Sequence, residues 1–146
     1  MAKIIGREIN NIPWQDKPEG YQYPVWRYDG NPIITRDNLF FANSIFNSAV
    51  VPFGDGFAGV FRVDTRTRDQ VLVTGFSSDA INWKLTDKYI FEGYDPRLCE
   101  IEGKYYLSWV KLTVHGTVIG IAYTTDFENW TELEEAGYPV SRNGVL

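Results

Sequence analysis

The residues best equipped for chemistry lie in the run Glu92-Gly93-Tyr94-Asp95-Pro96-Arg97. Pro96 lacks an N–H and restricts the residue before it, so the sequence predicts an extended Asp95 whose carboxyl points away instead of folding back as a cap. A carboxyl aimed in that way can serve as a general acid or base. An Asp-Pro pair also opens ordinary loop turns, so the local sequence leaves both readings open. Three other groups have useful chemistry. Asn47-Ser48 and Ser141-Arg142, the latter followed by Asn143, bring polar side chains to the start of apolar runs. Arg62 and Arg68 flank a hairpin turn, and either guanidinium could offer a planar fork to sugar hydroxyls or to a phosphate.

The remaining ionisable residues invite blander readings. Asp79 and Asp126 sit in Ser-Ser-Asp and Thr-Thr-Asp, a pattern expected of Asx-type turns. His115 is the sole histidine and falls in a turn, and Cys99 is the sole cysteine, beside apolar Leu98. Neither an internal disulfide nor a metal site of clustered His and Cys follows from such a set, and no cofactor is expected. No phosphate-cradling glycine loop, dinucleotide fingerprint or nucleophile elbow is present.

What could bring these residues together is a repeat. Phe76-Ser77-Ser78-Asp79-Ala80-Ile81-Asn82-Trp83 aligns with Tyr123-Thr124-Thr125-Asp126-Phe127-Glu128-Asn129-Trp130, a spacing of 47 residues. Extended at one offset, the register pairs Asp55-Gly56-Phe57 with Glu102-Gly103-Lys104, and Asn47-Ser48 with Tyr94-Asp95 and Ser141-Arg142. Each copy alternates short runs of β-branched and aromatic residues with turn signals, and no segment shows a 3.6-residue apolar period. A period of this length built from four short strands is the mark of a β-propeller blade. The fold expected is all-β, with an extended Pro-rich arm over 1–36, a first blade over 37–93, a second over 94–140 and the opening of a third over 141–146. Two blades fall short of ring closure, so the chain is expected to be part of a longer propeller, or to pair its open blade edges with another copy. In a propeller the first strand of each blade lines the axis, which would converge Asn47-Ser48, Tyr94-Asp95 and Ser141-Arg142 on one axial site.

Composition agrees and excludes. Aromatic residues make up 16% of the 146, which suits sheet cores and supplies flat faces for sugars. A net charge of -5 argues against a nucleic-acid partner, which calls for clustered Lys and Arg. No apolar run approaches a membrane span or the core of a signal peptide, and the expected setting is a reducing cytoplasm.

Trp26-Arg27-Tyr28-Asp29-Gly30-Asn31-Pro32, Asn43-Ser44-Ile45-Phe46-Asn47-Ser48, Gly59-Val60-Phe61-Arg62 and Tyr94-Asp95-Pro96-Arg97, in that order, resemble glycoside hydrolase family 130. The resemblance implies a five-bladed propeller and reversible, inverting phosphorolysis of β-1,4-mannosides, either mannosylglucose or mannooligosaccharides, to mannose 1-phosphate, with inorganic phosphate as co-substrate. It makes Asp95 the catalytic acid, places Asn47, Ser48, Arg62, Arg68 and Tyr94 around the sugar, and gives Arg142 and Asn143 to the phosphate. Two rival readings use the same residues: a propeller piece that holds carbohydrate without chemistry, and a related glycoside hydrolase with paired carboxylates and water.

Overall fold

The computed structural model describes residues 15–133. Among them eight strands form two antiparallel sheets, with one 3-10 turn at Arg36–Asn38 as the only helical element. The first sheet has the order β1 (Ala42–Phe53), β2 (Gly56–Thr65), β3 (Gln70–Ser77), β4 (Lys84–Glu92); the second has β5 (Tyr94–Ile101), β6 (Lys104–Thr113), β7 (Gly116–Thr124), β8 (Thr131–Glu132). Sequential order in space, four strands to a sheet and one sheet stacked on the next make these two blades of a β-propeller. Before the 3-10 turn, residues 15–35 carry no strand or helix and run as an extended arm.

The alternation along β2 and β6 explains the stacking. Ala58, Val60 and Leu72 of the first sheet face Tyr105, Leu107, Trp109 and Ala122 of the second, all buried in one cluster. Phe61, Val63, Val71 and Val73 point the other way, into a second cluster covered by Ile34, Leu39 and Phe41 from the arm and its turn. A single residue, Gly93, joins the sheets: its N–H donates to the Gln70 carbonyl at 2.8 Å and its φ is 126°. A Cβ there would lie 2.1 Å from the Val110 carbonyl oxygen, so only glycine lets β5 enter so close to β6.

The repeat is visible atom by atom in the turns before β4 and β8. Asp79 Oδ1 accepts from the N–H of Ile81 and Asn82, and Oδ2 accepts from the Asn82 amide; Asp126 receives the same three bonds from Glu128 and Asn129. Hydrogen bonds from Asn82, then Ile81, hold the Asp79 carboxyl well below the usual carboxylate range, and those from Asn129, then Glu128, do the same for Asp126. These are structural Asx turns, as their sequence predicts.

One offset does not serve the whole blade. Strand pairing relates Phe46, Ala49 and Arg62 to Tyr94, Arg97 and Val110, a spacing of 48 residues in the first hairpin. The spacing returns to 47 from β3 onward because the β6–β7 turn is one residue shorter than the β2–β3 turn. Extending 47 across the hairpins therefore misaligns them by one: Asn47 corresponds to Asp95, not to Tyr94.

Candidate functional site

That corrected register places Asn47 and Asp95 at the same kind of position. β1 and β5 each carry a bulge, between Phe46 and Ala49 in one and between Tyr94 and Arg97 in the other. The first bulged residue is left-handed in both, with φ of 47° at Asn47 and 53° at Asp95. Asn and Asp tolerate this region better than other side-chain-bearing residues, which explains the choice of residue at both sites. The extended Asp95 expected ahead of Pro96 is thus not what forms. The bulge, set by pairing on either side of it and by fully buried Pro96, overrides the local preference and turns the Asp95 side chain toward the first sheet.

Two donors meet one carboxylate oxygen there. Asn47 Nδ2 donates to Asp95 Oδ1 at 2.6 Å, and Arg62 Nη1 donates to the same oxygen at 3.3 Å. Among the described residues, Oδ2 accepts no hydrogen bond. The Arg62 guanidinium is 13% exposed and is held elsewhere too: Nε and Nη2 reach Asp64 Oδ1 and Oδ2 at 2.9 and 3.3 Å, and its Cζ lies 4.3 Å from the Phe46 ring and 5.0 Å from the Tyr94 ring. Asp95 itself is 23% exposed, half-sheltered between the blades and open to a ligand.

The structure therefore gathers Asn47, Arg62, Tyr94 and Asp95. Ser48, the second bulged residue, lines a cleft of about 630 Å³ together with Arg27, Asn31, Ile34 and Trp83. Arg68 is in the exposed β2–β3 turn at φ 73°, and its backbone N–H closes that turn on Thr65. Arg142 and Asn143, with the opening of a third blade, lie outside the described residues. Sequence reasoning passed over Asp64, although Arg62 and Asp64 stand two apart on a strand and so share a face. Among the described residues no three His, Cys, Asp or Glu side chains gather as a metal site would require, and no helix is long and apolar enough to cross a membrane.

A cluster of this kind holds a carboxyl in one rotamer. It fixes Oδ1 with two donors and leaves Oδ2 without one among the described residues, an arrangement open to general acid or base chemistry.

Comparison with known proteins bears on the family and the fold. The model of glycoside hydrolase family 130, described as β-1,4-mannooligosaccharide phosphorylase, matches residues 6–145. A β-1,4-mannooligosaccharide phosphorylase from Ruminococcus albus is 46% identical over 98% of this chain, which spans 48% of that protein. The chain thus has about half the length of the curated relative it matches. Among solved structures, one from a report that the GH130 family of mannoside phosphorylases contains glycoside hydrolases targeting β-1,2 mannosidic linkages in Candida mannan aligns over 87% of this chain and 44% of its own, with a TM-score of 0.67 and 20% identity. A glycosyl hydrolase from Bacteroides ovatus aligns over 73% of this chain and 39% of its own, with a TM-score of 0.63 and 16% identity. An arabinanase from Bacillus subtilis aligns over 70% and 42%, with a TM-score of 0.53 and 20% identity. At these identities the structural matches speak to the propeller fold.

Proposed function

The chain belongs to glycoside hydrolase family 130, and from that premise we propose that it carries the acid-bearing half of an enzyme that cleaves β-1,4-mannosides by inverting phosphorolysis, releasing mannose 1-phosphate. The observation that carries the reading is the convergence of Asn47 and Arg62 on Oδ1 of Asp95. In this reading Oδ1, held by both donors, is the carbonyl oxygen of the acid, and Oδ2, which accepts no hydrogen bond among the described residues, is the atom that passes the proton. Asp95 gives this proton to the departing glycosidic oxygen, relayed by the 3-hydroxyl of the mannosyl unit. Phosphate attacks the anomeric carbon from the opposite face and inverts it. An inverting hydrolase needs a second carboxylate to activate water; a phosphorylase replaces both with an anion that is already nucleophilic.

Within this reading Tyr94, Ser48 and Arg68 contact the sugar or its neighbour, and Arg142 with Asn143 forms part of the phosphate site, where charge-assisted donors are needed. Phosphate is a co-substrate and no further cofactor takes part, so the activity is of the glycosyltransferase type. The blades are assigned to 37–93 and 94–140, with a third beginning at 141. A lone cysteine and an acidic chain suit a cytoplasmic enzyme, and unpaired blade edges would favour association with further blades or with a second copy.

The experiment is product analysis with the full-length protein and β-1,4-mannobiose. Mannose 1-phosphate should form in proportion to added phosphate, and Asp95→Asn should lose turnover by about 100-fold or more while still binding the sugar. Equal sugar release in phosphate-free buffer would make the protein a hydrolase, and an active Asp95→Asn variant would remove Asp95 from the acid role.

A further inference from the structure

We infer that Asp64 is a positioning residue of this site, one that sets the Arg62 guanidinium against Asp95; the inference rests on reading Asp95 as the acid. Arg62 has four side-chain torsions, and the rings of Phe46 and Tyr94, 4.3 and 5.0 Å from its Cζ, limit only the tilt of its plane. Cation–π contact is soft to rotation within that plane, because the ring attracts the whole delocalised charge and not one N–H. An in-plane partner has to choose which nitrogen faces Asp95. Asp64 does this with a two-pronged contact, Nε to Oδ1 at 2.9 Å and Nη2 to Oδ2 at 3.3 Å, and Nη1 is left directed at Asp95 Oδ1 at 3.3 Å. The pair is built into β2, where residues two apart share a face, so the clamp needs no loop to close. Arg62 and Asp64 are both mostly sheltered, at 13% and 27% exposure, which spares the contact much of the screening that weakens surface pairs.

Among the described residues the hydrogen bonds of the Asp64 carboxylate go to Arg62 and none goes to Asp95, so a positioning role routes its effect on turnover through Arg62. The test compares Asp64→Ala and Asp64→Asn with the wild type in the full-length protein. In Asp64→Ala, kcat should fall by about 100-fold, the scale of a misplacement near 1 Å, while KM for phosphate changes by less than about twofold. Asp64→Asn keeps one oxygen for Nε and should recover part of the loss. A second readout is independent of turnover: the Arg62 Nε–H signal in ¹H–¹⁵N spectra should be protected in the wild type and exchange rapidly in Asp64→Ala. Unchanged kcat in folded Asp64→Ala overturns the inference, as does an Arg62 signal indifferent to Asp64. If the wild type shows no phosphorolysis but its Arg62 signal depends on Asp64, the phosphorylase reading falls and the positioning stands.

Discussion

Replacing Arg62 by Met keeps an apolar stem beside the Phe46 and Tyr94 rings and removes the charged fork together with its cation–π contacts. Three charge-assisted hydrogen bonds are lost with it, two to Asp64 and one to Asp95. At 3.3 Å and an effective dielectric near 20, the attraction between Arg62 and Asp95 amounts to about 5 kcal/mol. The groups are 13% and 23% exposed, and the desolvation they shed on mutation returns part of that energy. A net loss of about 2–3 kcal/mol remains, in line with hydrogen bonds to charged groups. For a chain of this size that lowers the melting temperature by about 5–10 °C. The variant also leaves Asp64 and Asp95 without the cation that sat between them. Salt should therefore favour Arg62→Met relative to its parent: the sheltered wild-type pair is little screened, whereas added salt relieves the carboxylate repulsion that the variant has gained. The assay is thermal unfolding followed by circular dichroism at low and at high sodium chloride. A melting temperature within about 1 °C of the wild type, against the shift expected for such a loss, or a variant that gains no more from added salt than its parent, would refute this account of the site.

Two further outcomes follow from the blade turns. The folded-state pKa of Asp79 and of Asp126 is depressed, so each stabilises the fold above the unfolded value of about 3.9, and the contribution is lost as the pH falls below it. The gap in melting temperature between wild type and Asp79→Ala or Asp126→Ala should be full at pH 6 and shrink from about pH 4 downward; a gap that widens toward pH 3 would contradict it. Phe127, fully buried, has its ring 5.0–5.7 Å from those of Phe53, Tyr105 and Trp130. Phe127→Ala should cost about 3–5 kcal/mol, read as a lower denaturant midpoint at unchanged slope.

The left-handed φ of 62° at Phe127 also shows how a turn overrules the preference of a single residue. A bulky residue disfavours that region, yet its counterpart in the first blade, Ala80, adopts it too, at 60°. The Asx turn dictates the backbone in both copies; the second blade then uses the position to plug the space between the sheets. The turn was legible from Ser/Thr-x-Asp and the following Asn-Trp, whereas the plug was not, because nothing local says which side of a turn will meet another sheet.

The same division runs through the whole protein. Strand periodicity, turn chemistry and the 47-residue echo of Asp79 and Trp83 in Asp126 and Trp130 are local properties, so the sequence alone determined the all-β class, the four-stranded blades and the families of residues worth watching. It could not determine that a one-residue difference between two hairpin turns shifts the register of the strands before them, since the deletion reveals itself only in which residues pair. Nor could it determine that Asp95 would abandon the extended conformation favoured ahead of proline. That conformation is decided by a bulge, and a bulge exists only relative to a partner strand. Tertiary structure alone brought Asn47 of one sheet and Asp95 of the next to 2.6 Å, and enlisted Asp64 to hold the arginine beside them, because a contact between sheets depends on how two surfaces stack and not on any spacing along the chain.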